Sequence, residues 1–239
     1  MYKSQKGRYK PDRQWPANSS DPFPMEGDIL VLQFINTYRN RSRADRKDLL
    51  GSYTDFIAWC WEFGMINLDE HNYLDLEGYC HADEANLVWQ RAVKLREALH
   101  EFIYGPMRDR EVHEIDMLIF NELIDEANAH LRYELDNNRP RLAWIEIEDQ
   151  PKGPLLKLVK QAEYLLNSQA FDHIKKCKCG NVFLDTTHGK NRRWCNPLGC
   201  GQKARMKVYR KRIAERVMGE EATVMKIELI DPKFVGEVA

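Results

Sequence analysis

Four of the six cysteines fall within 24 residues, and this cluster restricts the fold of its region more than any other feature of the sequence. Cys177 and Cys179 form a C-x-C pair, and after fifteen residues Cys195 and Cys200 form a C-x4-C pair. Two close pairs separated by a loop suit tetrahedral zinc, because each pair can hold one side of the ion. The region has few apolar residues, so metal binding would also supply the free energy that folds it. The sequence therefore predicts a structural Zn²⁺ site with these four ligands.

The narrow first pair leaves other interpretations open. C-x-C is tighter than the usual gap of two to four residues, so His173 or His188 could replace one member of that pair. A redox dithiol at Cys177 and Cys179, or simple reduced thiols, are the alternatives without metal. Oxidation of a zinc-bound thiolate would release the ion, which gives the hypothesis of a thiol-based redox sensor. Four protein ligands leave no position for a substrate, so a catalytic zinc is not expected.

Positive charge is concentrated around and after the cysteines. Residues 173–216 contain 13 Lys and Arg against 2 Asp and Glu, whereas residues 1–172 contain 21 against 30. Such asymmetry indicates a polyanionic partner, and we predict a nucleic acid, specifically DNA. An acidic protein partner or a merely solvated helix are the alternatives. The predicted contact residues are Arg192, Arg193, Lys203, Arg205, Lys207, Arg210 and Lys211.

A helix is predicted after the last cysteine, because apolar residues recur there at helical spacing. We expect this apolar stripe to dock the helix against the zinc module or the helical domain, which leaves the cations exposed. The stripe consists of Met206, Tyr209, Ile213 and Val217.

Apolar periodicity predicts that the remainder of the chain is mainly helical. A short strand is expected over residues 141–148, and no element is predicted from Asn67 to Tyr79, where periodicity is weak. The stripe Leu87, Val88, Ala92, Leu95, Leu99 and Phe102 is expected to be buried. The first predicted helix begins at about Asp28. The other predicted helices run from Ser52 or Thr54 to Gly64, from Asp83 or Glu84 to Tyr104, from about Asp109 to Leu135, and from Pro154 to about Ser168.

These patterns give a mainly α fold with two domains. The apolar runs are far shorter than the roughly 20 residues of a membrane-spanning helix, and we expect a cytoplasmic protein that does not enter a membrane. No catalytic motif is present, so we do not expect an enzyme. The predicted parts are a flexible arm (1–24), an α-helical sensor domain with a short β element (25–172), a zinc module with a basic helix (173–217), and an acidic tail that could include a short strand (218–239).

The run CGNVFLDTTHGKNRRWCNPLGCGQKARMKVYRKR resembles the CGNR zinc-finger family. It has that family's F-L-D turn, its R-R-W-C loop and its closing Cys-Gly, although Gln202 and Lys203 stand where the family has Asn and Arg. Upstream, GDILVLQFINTYRNR resembles the family's L-D-F-x-N-T helix and RAVKLREALHEFIYG its L-R-E helix, so the likeness covers about 27–216.

This resemblance implies a helical region of the kind described as a putative stress-induced transcription regulator, joined to a zinc-binding, DNA-binding module. We therefore predict a transcription regulator in which zinc presents a basic helix to DNA and the helical domain binds a small-molecule signal. The alternatives are a zinc-stabilised adapter between proteins and the redox sensor described above. A homodimer is a further hypothesis.

Overall fold

Seven α-helices and three two-stranded antiparallel sheets make up the described part of this computed structural model, residues 27–39, 41, 46–147 and 149–230. The expectation of a mainly α fold is confirmed. By its internal contacts the chain divides into two units, with the boundary between Arg192 and Arg193. The predicted flexible arm, residues 1–24, lies outside the described residues.

The order of the elements is as follows. The helices are α1 Gly27–Ile35, α2 Tyr53–Glu62, α3 Leu68–Cys80, α4 Ala82–Tyr104, α5 Glu114–Ala129, α6 Gly153–Asn167 and α7 Gln202–Ile230. The strands are β1 Tyr38–Arg39, β2 Lys47–Asp48, β3 Leu131–Asp136, β4 Arg139–Trp144, β5 Ile174–Lys176 and β6 Val182–Leu184, paired as β1–β2, β3–β4 and β5–β6.

The core of the first unit is built around α1, α4 and α6. From Leu30 to Ile35 every residue of α1 except Gln33 is buried, as expected for a helix packed on several sides. The ring of Phe34 lies 6.3 Å from that of Phe56 and 5.3 Å from that of Trp59, in edge and tilted arrangements that aromatic pairs favour. The inner face of α6 is buried at Leu155, Leu158, Val159, Ala162 and Leu165.

Helix ends follow the capping signals of the sequence. Ser52 accepts a hydrogen bond from the backbone N–H of Asp55 at 3.2 Å and so begins α2 where the sequence predicts it. α4 ends at Tyr104, directly before Gly105 and Pro106, as predicted. Its buried face is the predicted stripe with one exception, because Leu87 is 59% exposed.

α3 is a helix that the apolar pattern does not predict. Of its 13 residues only Leu74 is buried, so it has no apolar stripe to reveal it. A capping box stabilises its start: Asn67 accepts a hydrogen bond from the Glu70 N–H at 2.9 Å, and the Glu70 carboxylate accepts one from the Asn67 N–H at 2.7 Å. The expectation of no element between Asn67 and Tyr79 is wrong, and the N-x-x-E spacing was the signal for this helix.

The prediction of one helix from Asp109 to Leu135 is wrong at both ends. α5 covers only Glu114–Ala129, and the chain then forms the β3–β4 hairpin. Asn137 and Asn138 connect the strands with φ of 47° and 61°, the left-handed pair of a two-residue type I′ turn. The predicted strand over 141–148 is therefore β4, which begins earlier and ends at Trp144. Ile115 and Leu118 of α5 are exposed.

α7 is longer than predicted and does not bury its apolar stripe. It continues to Ile230, so residues 218–230 are helical where a short strand was an alternative, and residues 231–239 lie outside the description. Met206, Tyr209 and Ile213 are 43%, 59% and 41% exposed, and the side chain of Val217 lies outside the described part. Within the described residues, no helix has the length and apolar character needed to cross a membrane.

One buried charge connects α4 to the chain that follows α1. Arg96 is 1% exposed, and its guanidinium donates to both oxygens of Asp48 at 2.6 and 2.7 Å and to the hydroxyl of Thr37 at 3.1 Å. Burial raises the pKa of Asp48, but the hydrogen bonds and charge of Arg96 outweigh it and lower that pKa below its usual value. The pair therefore stabilises the fold only while Asp48 is ionised.

We expect Asp48→Ala to lower the free energy of unfolding at pH 7, because it leaves the Arg96 charge buried without its main partner. The loss should be about 2 kcal/mol, less than for a fully buried pair because Asp48 is 37% exposed. A lowered pKa gives a contribution that is present above the ordinary Asp value of about 3.9 and is lost as pH falls through the folded value. Urea unfolding of wild type and Asp48→Ala should therefore differ most at pH 7, and the difference should shrink as the pH falls; an equal difference at all pH values would contradict this role.

Candidate metal centre and basic helix

The first cysteine pair lies in the loop of the β5–β6 hairpin. The strands pair with Lys176 opposite Val182, so Cys177 follows β5 directly. The Cys177 N–H donates to the carbonyl of Asn181 at 2.8 Å, and the Gly180 N–H donates to the carbonyl of Cys177 at 2.9 Å. Gly180 has a φ of 98°, which favours glycine. This tight turn accounts for the C-x-C spacing, because a five-residue loop, 177–181, holds both cysteines.

A side-chain amide fixes this hairpin to α1. Asn36 donates to the carbonyl of Val182 and accepts from its N–H, both at 2.9 Å, as a neighbouring strand would. Ile174 and Val182 are buried in the same apolar core as α1, α4 and α6. The first cysteine pair is therefore attached to the core of the helical unit by hydrogen bonds and by apolar packing.

The second pair lies at a short π-helical turn, Pro197–Gly201: Cys195 precedes the turn and Cys200 lies within it. The Asn196 carboxamide oxygen accepts from the N–H groups of Leu198 and Gly199, both at 3.0 Å. The Cys195 and Cys200 sulfur atoms are 3.7 Å apart. α7 begins at Gln202, so the second pair immediately precedes the basic helix.

The four cysteine sulfur atoms all lie within 4.8 Å of one another. A tetrahedral zinc site with Zn–S bonds of about 2.3 Å requires sulfur separations of about 3.8 Å, whereas a disulfide requires about 2.05 Å. The 3.7 Å separation in the second pair fits the first value and excludes the second. Four thiol ligands with no other donor in the group are the donor set of a closed structural zinc site. The residues therefore fit structural zinc.

Neither histidine of the alternative ligand sets belongs to this group. The four cysteines form it without His173, and His188 is exposed in the loop after β6. Cys177, a member of the narrow pair, is the most buried of the four at 1% exposure. The cluster thus forms without a histidine among the residues that the structure describes.

Asp185 organises the loop that leads from β6 to the second pair. Its carboxylate is fully buried and accepts from Lys175 Nζ at 2.8 Å, from the Thr187 N–H and hydroxyl at 3.0 and 2.6 Å, and from the Arg192 N–H at 2.9 Å. Burial alone would raise the pKa of Asp185, but these hydrogen bonds outweigh it and hold the pKa well below the usual value. The side chain is therefore an ionised acceptor, and it is the Asp of the F-L-D turn that the resemblance to the family implies.

The predicted nucleic-acid contacts are all partly or fully accessible, but they are not equivalent. Arg192 differs from the rest, since its guanidinium lies 4.9 Å from the centre of the Phe183 ring and is half-buried. Arg205 donates to the carbonyl of Pro197 at 3.3 Å, and Lys211 pairs with Glu215 at 3.6 Å. The exposed members are Arg193, Lys203, Arg205, Lys207, Arg210 and Lys211.

Sequence reasoning missed one residue that positions the site, Asn36, and one that supports the neighbouring core, Thr37. Asn36 binds the zinc hairpin, and Thr37 binds Arg96. Both belong to the N-T pair of the upstream motif, and Arg96 belongs to its L-R-E motif. Asn36 and Thr37 directly follow α1, and Arg96 lies in α4, but the residues that they contact are far away in the chain.

We expect the protein to bind one zinc ion per chain through these four sulfur atoms. Cys177→Ser and Cys179→Ser should each weaken zinc binding strongly. The loss should exceed the roughly 10- to 100-fold that follows when a residue hydrogen-bonded to a metal ligand is replaced. His188→Ala should bind zinc like the wild type. Competition with a chromophoric chelator measures each affinity, and unchanged zinc binding by Cys177→Ser would remove Cys177 from the ligand set.

We expect Asp185→Asn to loosen the loop before the second pair, because an amide places a donor where four donors converge. The melting temperature should fall by a few degrees and zinc affinity by about tenfold. The exposed Asp172 offers a matched control, since Asp172→Asn makes the same change without buried partners. Equal melting temperatures and zinc affinities for the two variants would refute the role of Asp185.

Comparison with family profiles gives two matches. The profile described as CGNR zinc finger matches residues 173–213, and the profile described as "Putative stress-induced transcription regulator" (ABATE) matches residues 28–167. No curated protein matches the chain. The descriptions are regulatory and zinc-binding, and neither is enzymatic. Because the second profile covers more than half of the sequence, the chain belongs to the ABATE family of proposed stress-induced transcription regulators, here with a C-terminal CGNR zinc finger that binds structural zinc.

Proposed function

We propose that this protein regulates transcription by presenting α7 to DNA. The observation that carries the proposal is the charge of residues 193–216. This segment has eight exposed Lys and Arg side chains and a single acidic residue, Glu215. Protein surfaces without a polyanionic partner usually intersperse the two signs. The family description supports regulation as the role of such a surface.

The distribution of charge on α7 suits a groove between two phosphate backbones. At 100° per residue, Lys203, Lys207, Arg210 and Lys211 lie on one side of the helix, and Arg205, Arg212 and Arg216 lie on the opposite side. The major groove of DNA is about 12 Å wide and admits one helix. A helix in that groove would have cations toward both strands.

The chain's own residues position this helix. Zinc, when bound, supplies four bonds to sulfur and no open position for chemistry. Asn196 closes the turn before α7, and Arg205 donates back to Pro197 within that turn. Lys203 provides a point charge where the family motif has Arg, so at this position we expect a phosphate contact and no bidentate contact to a base.

The input to regulation remains a prediction from the sequence. The proposed input is a small-molecule ligand of residues 25–172, and the redox hypothesis assigns that role to the cysteines instead. Both the small-molecule hypothesis and the redox hypothesis are compatible with DNA binding by α7.

We expect binding of duplex DNA with a steep salt dependence. Each phosphate contact contributes about 0.9 to the slope of log K against log salt, so replacing Lys207, Arg210 and Lys211 together with Ala should reduce the slope by up to about 2.7 and weaken binding. Fluorescence anisotropy with a labelled duplex over a range of salt concentrations measures both quantities.

A matched control removes the same charge from the helical unit. Arg46, Lys47 and Lys94 are exposed, and their triple replacement with Ala should leave the slope unchanged. An equal loss in both triple variants would indicate a nonspecific effect of net charge. Absence of DNA binding at low salt would refute the proposal and favour an acidic protein as the partner of α7.

A further inference from the structure

The β3–β4 hairpin is amphipathic, but the distal part of its apolar face is uncovered. One face carries only apolar and aromatic side chains, while the other carries charged residues and Ala143. Leu131 is buried and Trp144 packs partly on the core, which anchors the base of the hairpin. Tyr133 and Leu135 are both 75% exposed. The apolar face consists of Leu131, Tyr133, Leu135, Pro140, Leu142 and Trp144.

The hydrogen-bond pattern shows which backbone groups of β3 face outward. Ile145 N–H donates to the carbonyl of His130 at 2.8 Å, so this pair is a hydrogen-bonded position. Hydrogen-bonded and non-hydrogen-bonded pairs alternate in an antiparallel ladder. A two-residue turn requires Asp136 and Arg139 to be a hydrogen-bonded pair, which is consistent with the pair of His130 and Ile145 six positions away along the ladder. Leu131, Tyr133 and Leu135 therefore direct their N–H and C=O groups away from β4.

The two edges of the hairpin differ. On β4 the outward position opposite Leu135 is Pro140, which has no N–H and so blocks strand addition. On β3 the outward positions retain their donors, and every residue from 132 to 140 is exposed. The Leu131 carbonyl accepts a hydrogen bond from Arg132 Nη1 at 2.7 Å. β3 is therefore the edge prepared for another strand.

We propose that β3 pairs with β3 of a second copy of this chain, antiparallel about a two-fold axis at Tyr133. In this register Tyr133 meets its own counterpart and Leu131 meets Leu135, which joins outward-facing positions by hydrogen bonds. The Leu135 N–H of one copy replaces Arg132 at the Leu131 carbonyl of the other. The result is a four-stranded sheet, β4–β3–β3–β4, in which only the proline-protected edges remain open.

Charge complementarity selects this partner and this register. The intervening pair brings Arg132 opposite Glu134 of the second copy, twice per dimer, at positions where side chains approach most closely. Shifting the strands by two residues would instead place Glu134 against Glu134. A strand whose charges complement themselves under two-fold rotation matches a second copy, whereas an unrelated peptide would have no reason to match it.

The test uses charge exchange in the full-length, zinc-loaded protein. Sedimentation equilibrium should find a dimer for the wild type. Glu134→Arg and Arg132→Glu should each weaken dimerisation at least about tenfold, because two attractive pairs become repulsive. The double variant, Arg132→Glu with Glu134→Arg, should restore dimerisation because both pairs return with exchanged signs.

The double variant also distinguishes an effect on the dimer interface from an effect on the stability of the hairpin. Glu134 lies opposite Arg141 within its own hairpin, so both variants with Arg at 134 lose this pair and destabilise the monomer equally. Circular dichroism measures that destabilisation. Glu122 is exposed on α5, and Glu122→Arg makes the same charge change away from β3 and should remain dimeric.

Backbone pairing has its own test. Tyr133→Pro removes an outward N–H without removing a hydrogen bond between β3 and β4, and it should abolish the dimer while the helical content is kept. A monomeric wild type at all soluble concentrations, or a double variant that stays as weak as the single variants, would overturn the proposal.

Discussion

The four sulfur atoms within 4.8 Å of one another are the constraint on which the C-terminal part of this protein depends. From Arg193 to Arg216 only Gly201 is buried, so this segment has no apolar core of its own. Its order must come from the metal and from the Asn196 turn. The first cysteine pair, by contrast, is held by Asn36 and by buried strands. Zinc therefore connects a firmly packed ligand pair to one that has little other support.

The sequence predicted those elements whose stability comes from a buried stripe. α2, α4 and α6 were predicted to within a few residues because their apolar residues recur at helical spacing and are buried. α3 was missed because its stability is local, in the Asn67 capping box, and only Leu74 is buried. The pattern predicts helix where β3 lies, because Leu131 and Leu135 also fit a helical spacing. The two Asn residues of the turn, both with positive φ, decide between the alternatives.

The site was predictable where chemistry restricts spacing and unpredictable where it depends on long-range contacts. Four cysteines in two close pairs predict a metal whatever the surrounding fold. The bonds between Asn36 and Val182 join residues 146 apart in sequence, and no local pattern reports them. Asp185 was recognisable as a turn residue, but its four donors include Lys175 and Arg192, which only the folded hairpin brings to it. The sequence therefore predicts the zinc ligands, but it does not predict the residues that hold their loops in place.

α7 illustrates how the zinc site and the charge depend on each other. Starting a helix is costly because several residues must be ordered before hydrogen bonds compensate, and tertiary packing normally offsets this cost. Met206, Tyr209 and Ile213 are exposed, so within the described residues packing contributes little to α7. The turn Pro197–Gly201 orders the chain up to Gln202, where α7 begins, and so supplies the nucleus. Loss of zinc should consequently remove the helix on which the cations are arranged, and with it the distribution of charge on two opposite sides.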